Sequence, residues 1–228
     1  MCGRFSLFVP PDDLEARFEA APTVELRPRY NVAPGDDVAT IRNDSADEID
    51  SLQWGLLPGW VDDPDDWPYP INARAETLAE KPSFRDAFRE RRCLVLADGF
   101  YEWRGERGSK QPYRIARPDG APFAFAGLWE TWDDGGESIR TTTVVTTDAN
   151  ETVAPIHDRM PVMLARGEER AWLEEEDPDA LRSMLDPYPA EAVVAYPVST
   201  AVNDPRNDSP AVVEPADVGE QSDLGRFG

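Results

Sequence analysis

The chain has 228 residues and a net charge of −22, with one histidine, two cysteines and only two lysines, Lys81 and Lys110. No apolar run approaches the roughly 18 residues of a membrane span, and no basic stretch followed by an apolar one opens the chain as a secretory leader. Two cysteines make no disulfide framework and, with one histidine, no structural zinc site, so a reducing, cytoplasmic setting without metal or cofactor is expected.

Pro10-Pro11-Asp12-Asp13, followed by Leu14, Phe18 and Ala21, predicts a short capped helix. Residues 22–37 are Pro-rich and read as an ordered loop. Val38–Arg42 and Ile49–Trp54 read as strands around an acidic turn, followed by an acidic loop at 62–66. Ser83–Arg92 has a helix pattern, with Phe84 and Phe88 on one face. Cys93–Ala97 is a continuous apolar run, hence a buried strand, and Asp98-Gly99 turns it into Phe100–Trp103. Further strands are expected at Tyr113–Ala116, Phe123–Leu128, Thr141–Thr146, Val162–Leu164 and Val193–Val198, with turn chemistry between them. Helices are expected at Gly167–Glu175 and Pro178–Leu185. The pattern predicts one α+β domain over residues 1–216, built on a curved, mainly antiparallel, barrel-like sheet with peripheral helices. An acidic, Gly-rich tail follows at 217–228.

Cys2 is the most informative residue. If Met1 is removed, Cys2 carries an α-amine and a thiol on adjacent carbons. An α-amine has a pKa of roughly 7.7–8.0, against roughly 10.4 for lysine, so it is partly nucleophilic at neutral pH and can condense with an aldehyde. The adjacent thiol can then close a five-membered thiazolidine ring, because it is already held beside the imine carbon. A small second residue that merely permits Met1 removal fits the same position.

Three polar residues add to this. Glu102, between Tyr101 and Trp103, is a candidate for a desolvated acid/base carboxyl, although an outward-facing strand glutamate has the same spacing. His157 is the only histidine and could be structural. Asn72 could serve in a turn or cap. Together an aminothiol, an amide, a carboxyl and an imidazole are what aldehyde capture requires, provided that Cys2 lies in a pocket open to a sugar.

Met1-Cys2-Gly3-Arg4-Phe5, Tyr30-Asn31-Val32-Ala33-Pro34, Trp54-Gly55-Leu56, Asn72-Ala73-Arg74-Ala75-Glu76-Thr77, Gly99-Phe100-Tyr101-Glu102-Trp103 and His157-Asp158-Arg159-Met160-Pro161 resemble, in order and spacing, the SRAP family. These are abasic-site processing proteins that shield lesions in single-stranded DNA. The resemblance runs from residue 1 to about residue 215. It implies removal of Met1, with the protein's own site as a possible agent, and a thiazolidine crosslink between Cys2 and the ring-opened abasic sugar. Lyase and autopeptidase activities would accompany the crosslink. Asn72 would orient the Cys2 amine, Glu102 would be the acid/base residue, and His157 would assist ring opening and β-elimination. Arg4, Arg74 and Arg159 match positions lining the DNA groove, where the arginine fork suits phosphates. Pro34 and Trp60 match positions that pack on bases. The implied partner is single-stranded DNA containing abasic sites, bound by a monomer that is nucleoid-associated when crosslinked.

Two features depart from the family. Val61 stands where a second aromatic often follows Trp60. The acidic loops at 62–66 and 133–137 are unlike a DNA binder and are expected to lie away from the groove. Acidity argues against nucleic acid on charge alone. It also suits a very salty cytoplasm, where the Debye length is about 3 Å at 1 M, and is read as surface adaptation. Two other functions fit parts of the pattern. One is an N-terminal-nucleophile amidohydrolase attacking through a Cys2 thiolate, and the other is a non-catalytic binder of single strands.

Overall fold

The computed structural model describes residues 2–106 and 109–217. In chain order they form β1 (Phe5–Leu7), α1 (Pro11–Phe18), β2 (Ala21–Pro22), β3 (Arg29–Val32), β4 (Asp37–Arg42), β5 (Ser45–Trp54), β6 (Asn72–Arg74), α2 (Pro82–Glu90), β7 (Arg92–Ala97), β8 (Gly99–Arg104), β9 (Gln111–Ala116), β10 (Phe123–Asp133), β11 (Ser138–Asp148), β12 (Arg159–Pro161), α3 (Glu169–Glu174), α4 (Pro178–Ser183) and β13 (Val194–Pro197). β11 pairs with β10, β10 with β7, β7 with β4 and β4 with β5, all antiparallel. β5 then returns to β11 in parallel, so these five strands close a ring. A second sheet runs β13-β9-β8-β1-β3. The expected α+β fold around a curved, mainly antiparallel sheet is the fold observed.

β7 explains how the layers meet. Its side chains alternate between two cores, as strand geometry requires. Cys93, Val95 and Ala97 pack with Phe5 and Phe100 of the second sheet. Leu94 and Leu96 pack with Phe84 and Phe88 of α2 and Trp172 of α3. Burial on both faces is why this strand reads as an unbroken apolar run.

β11 positions the site. β10 pairs with it along one edge as far as Val144, and β12 takes over that edge at Thr146–Asp148. On the other edge β5 pairs at Thr141–Thr142, and β6 follows at Val144–Thr146. β5 and β6 are thus collinear and parallel to β11, and residues 55–71 between them are pushed out of the sheet as a loop. Two indole N–H groups pin that loop, Trp54 Nε1 to the Ile71 carbonyl (2.9 Å) and Trp67 Nε1 to the Leu56 carbonyl (2.7 Å). Gly55 turns the chain out with φ 137°, where a Cβ would also stand 3.1 Å from the Tyr69 Cβ.

Two expectations differ from the structure. Residues 22–37 are not all loop, because Arg29–Val32 pairs with β1. The Tyr30 and Asn31 amides donate to Asp208 Oδ1, at 2.5 and 3.0 Å, an anchor remote in sequence. Val162–Leu164 is not a strand. Its apolarity reflects burial, and the paired segment is Arg159–Pro161, leaving Met163 with one isolated bridge to Phe125. The predicted tail lies outside the described residues from 218 onward.

One buried cation ties the helices to the ring. Arg92 donates to the carbonyls of Phe88 and Arg89 at the end of α2. It also donates to those of Trp172, Leu173 and Glu175 at the end of α3. The last carbonyls of a helix lack intrahelical partners and carry partial negative charge, so one guanidinium caps both ends. Arg92→Met leaves five acceptors without this donor. It should lower stability by about 3 kcal/mol in urea denaturation, and a loss under about 1 kcal/mol would contradict the capping role.

Candidate active site

β1 pairs antiparallel with β8, Phe5 opposite Phe100, and the Tyr101 amide donates to the Arg4 carbonyl at 2.9 Å. The same register continued past Phe5 carries the amino-terminal residues along Tyr101 and Glu102. From the ring, β6 brings Asn72, whose Nδ2 donates to the Cys2 carbonyl at 2.8 Å. The start of the chain is therefore held between the two sheets.

Cys2 is 0% exposed, packed in the core cluster shared by both sheets. This corrects the expectation of a Cys2 already open to a sugar; Phe5, the first residue of β1, draws the segment inward against Trp54 and Phe125. Burial, followed by the Glu102 charge, pushes the thiol far above its ordinary value. The thiol is protonated at neutral pH, and its Sγ lies 3.7 Å from the Arg4 carbonyl.

Glu102 is 2% exposed. Burial raises its carboxyl to about 7, against the pull of the amino-terminal charge. An acid/base group is most effective with its pKa near the working pH. His157 is held below its ordinary value, first by burial and then by the amino-terminal charge. Its Nδ1 accepts the Arg159 amide at 3.0 Å, and Asp158 Oδ1 lies 2.9 Å from the same nitrogen. Nδ1 cannot accept from an amide and donate to a carboxylate at once. Asp158 is solvent-exposed, so the amide bond governs the neutral ring and leaves the proton on Nε2. The Asn72 Oδ1 is buried and accepts no hydrogen bond among the described residues. Cys2, Glu102 and His157 are thus coupled through the amino terminus, and Asn72 touches Cys2 directly.

A cleft of about 590 Å³ runs up to Asn72, lined by Pro34, Trp54, Tyr69, Pro70 and Ile71 among others. Tyr69 holds a left-handed φ of 47°, a conformation uncommon for a bulky residue and concentrated at functional sites. Pro34 is exposed at one rim. Trp60, 56% exposed, stands edge-on to Trp67 with centroids 5.2 Å apart. Val61 turns inward with Leu57 and Trp132, and its carbonyl accepts Trp132 Nε1 at 2.7 Å.

The three arginines differ. Arg74 is exposed and makes no ion pair among the described residues. Arg4 donates to the Asn31 side chain and to the Val202 and Asn203 carbonyls, with the charges of Asp36 and Asp204 nearby. Arg159 is held by Glu76 and Asp148.

The acidic loops do not lie away from the cleft. Tyr69, which lines it, has its phenol raised by burial and then by the charges of Asp65 and Glu137. The loop at 55–71 packs on the β10–β11 hairpin through Leu57, Val61 and Trp132, which carries both acidic segments to the cleft's outer end.

Two residues escape sequence reasoning. Asn31 is fully buried, accepts Arg4 Nη1 at 2.9 Å and donates to the carbonyls of Val202, Asp204 and Asn207. Lys110 adds a positive charge felt by both Glu102 and His157. Its rarity in so acidic a chain was the available signal. Among the described residues no cluster of three or more His, Cys, Asp or Glu could hold a metal ion. No helix among them is long and apolar enough to cross a membrane.

A buried Cys2 clamped by the Asn72 amide, with Glu102 and His157 both sensing the charge of the amino terminus, makes up the candidate site. Residues 1–205 match the model of the family described as SOS response associated peptidase (SRAP), and the chain belongs to that family. It is 46% identical over 222 residues to the abasic site processing protein YoqW of Bacillus subtilis, covering 94% of this chain and 99% of that one. It is 34% identical to YedK of Escherichia coli, of the same description, covering 94% and 100%. A solved structure from Bacteroides thetaiotaomicron superposes with a TM-score of 0.87 at 31% identity, covering 94% and 100%.

Glu102 makes stability depend on pH. Its folded pKa, about 7, exceeds its ordinary 4.5, so the folded state favours the protonated form. That contribution is complete below pH 4.5 and is lost as pH rises through 7, at up to about 3 kcal/mol. Glu102→Gln should therefore melt progressively higher than the parent protein as pH rises from 5 to 8. A melting difference that stays flat over that range would contradict a buried, neutral Glu102.

Proposed function

We propose that this protein captures abasic sites in single-stranded DNA by forming a thiazolidine between Cys2 and the aldehyde of the ring-opened deoxyribose. Loss of Met1 frees the Cys2 nitrogen. The amine adds to the aldehyde carbon, and the carbinolamine loses water to give an imine. The thiol sulfur then attacks the imine carbon while its proton passes to nitrogen, closing the ring with one water released overall. Glu102, balanced between its two forms near neutral pH, takes the amine's proton and returns it to the departing hydroxyl. His157, with its proton on Nε2, donates to the sugar ring oxygen. From the imine, the same groups assist β-elimination as a lyase activity. Met1 removal is assigned to the same site as an autopeptidase step. Asn72 aligns the nitrogen through the Cys2 carbonyl, and its unpartnered Oδ1 is available to a sugar hydroxyl.

The observation that carries this reading is the convergence of Asn72, Glu102 and His157 on the first residues of the chain. The relatives named abasic site processing proteins support it. The raised thiol favours amine attack before sulfur attack. It disfavours the amidohydrolase alternative, which needs a Cys2 thiolate. Cys2 is buried in the Met1-bearing chain, so reaction requires an opening at the terminus, and the cleft lined by Asn72, which bonds the Cys2 carbonyl, offers an approach. Exposed bases would pack on Pro34, Tyr69 and Trp60, at about 1–3 kcal/mol per stacked base. Arg74 faces solvent for a phosphate, and Arg4 contributes a charge near Cys2 that Asp36 and Asp204 partly offset. The ion-paired Arg159 contributes less to phosphate binding than either.

Cys2→Ala should abolish the heat-stable adduct on an abasic oligonucleotide while single-strand binding stays within about threefold, since no binding contact is removed. Cys2→Ser should retain strand cleavage, because the amine remains. A heat-stable adduct of unchanged yield with Cys2→Ala, read on a denaturing gel, would overturn the assignment.

A further inference from the structure

Arg159 makes the most heavily bonded ion pair near the site, and its part in the proposed chemistry is not explained by phosphate binding. Nη1 and Nη2 reach both carboxylate oxygens of Glu76, at 2.5 and 3.0 Å. Nη1 also meets Asp148 Oδ1, and Nη2 the Thr146 carbonyl, each at 2.7 Å. The guanidinium is thereby fixed in direction as well as charge, since a bidentate fork constrains geometry. Glu76 lies four residues beyond Asn72, just past the end of β6. The pair therefore spans β11 and ties the segment that carries Asn72 to the turn that carries His157.

The backbone of Arg159 completes the link. Its amide is the group that His157 Nδ1 accepts, while Asp158 competes for the same nitrogen from solvent. The ring is also faced by the amino terminus and by Lys110. Which partner Nδ1 takes decides which nitrogen holds the proton, as for any histidine oriented by a neighbour.

We propose that Glu76 is a positioning residue which, through its bidentate grip on Arg159, holds the Arg159 amide on His157 Nδ1 and so keeps the donatable proton on Nε2. The functional half of this inference rests on the capture reaction proposed above, with His157 acting on the sugar ring oxygen. Glu76 is singled out over Asp148 because it makes two bonds to the guanidinium instead of one. It is also less exposed, its side chain keeping 49% of its accessible surface against 81% for Asp148.

The test uses the full-length protein and reads the ring directly. His157 is the only histidine in the chain, so two-bond ¹H–¹⁵N correlations of a histidine-labelled sample report a single ring. The parent protein should show the Nε2–H tautomer, as should Asp148→Asn. Glu76→Gln should show a mixture with Nδ1–H, at an unchanged amide fold elsewhere in the spectrum. The same variant should capture an abasic oligonucleotide about tenfold more slowly, part of the roughly 10²–10⁴-fold that a positioned acid supplies. Its reaction with a simple open-chain aldehyde, which needs no ring opening, should change by less than twofold. A pure Nε2–H ring in Glu76→Gln, or an equal shift in Asp148→Asn, overturns the assignment to Glu76. Equal slowing with both aldehydes overturns its action through His157. Absence of any adduct from the parent protein would instead defeat the capture reaction, leaving the tautomer result to judge Glu76 separately.

Discussion

The hydrogen bond from Asn72 to the Cys2 carbonyl is the contact on which the site depends. It joins a residue of the ring, on β6, to the amino-terminal segment carried by the second sheet. A single such bond contributes only about 0.5–1.5 kcal/mol to stability. For the proposed capture reaction its value would lie in position, because an amine and a thiol held against an incoming carbon gain effective concentration that free reactants lack. Everything needed to place Asn72 follows from β11, which receives β5 and then β6 on one edge and so extrudes the loop that walls the cleft.

The electrostatics of the site run against those of the surface. Glu102 sits where burial disfavours a carboxylate, and the positive charge of the amino terminus offsets part of that effect, leaving its pKa at about 7. Outside, Asp65 and Glu137 border Tyr69 at the cleft's far end, where phosphates would meet repulsion. Salt at molar strength screens such charges over about 3 Å, while also weakening phosphate contacts. On the proposed reading, stacking on Tyr69 and Trp60 and a covalent bond at Cys2 would be the attractions least sensitive to salt. The acidic rim and the covalent chemistry are in this sense compatible.

Much of this was legible in the residues. Phe84 and Phe88 marked α2, the apolar run at Cys93–Ala97 marked the twice-buried β7, and six motif blocks pointed to Cys2, Asn72, Glu102 and His157. Four things were not legible. β3 is stabilised by Asp208, some 180 residues away, and no local pattern encodes a partner so distant. Arg92 reads as a surface helix end, because the carbonyls it caps belong to two helices that meet only in three dimensions. The acidic loops are expected away from the DNA groove; what the residues do not tell is the packing of Val61 on Trp132, which sets them at the outer end of the cleft. The burial of Cys2 was missed for a related reason, since its neighbour Phe5 is a core residue and carries the terminus in with it.

The most direct measurement is intact and peptide mass spectrometry of the protein after incubation with an abasic oligonucleotide, without reductant. The account predicts a mass equal to protein lacking Met1 plus DNA minus one water, with the modification on the peptide that begins at Cys2. An adduct on Lys81 or Lys110, or on a peptide that still begins with Met1, would contradict it.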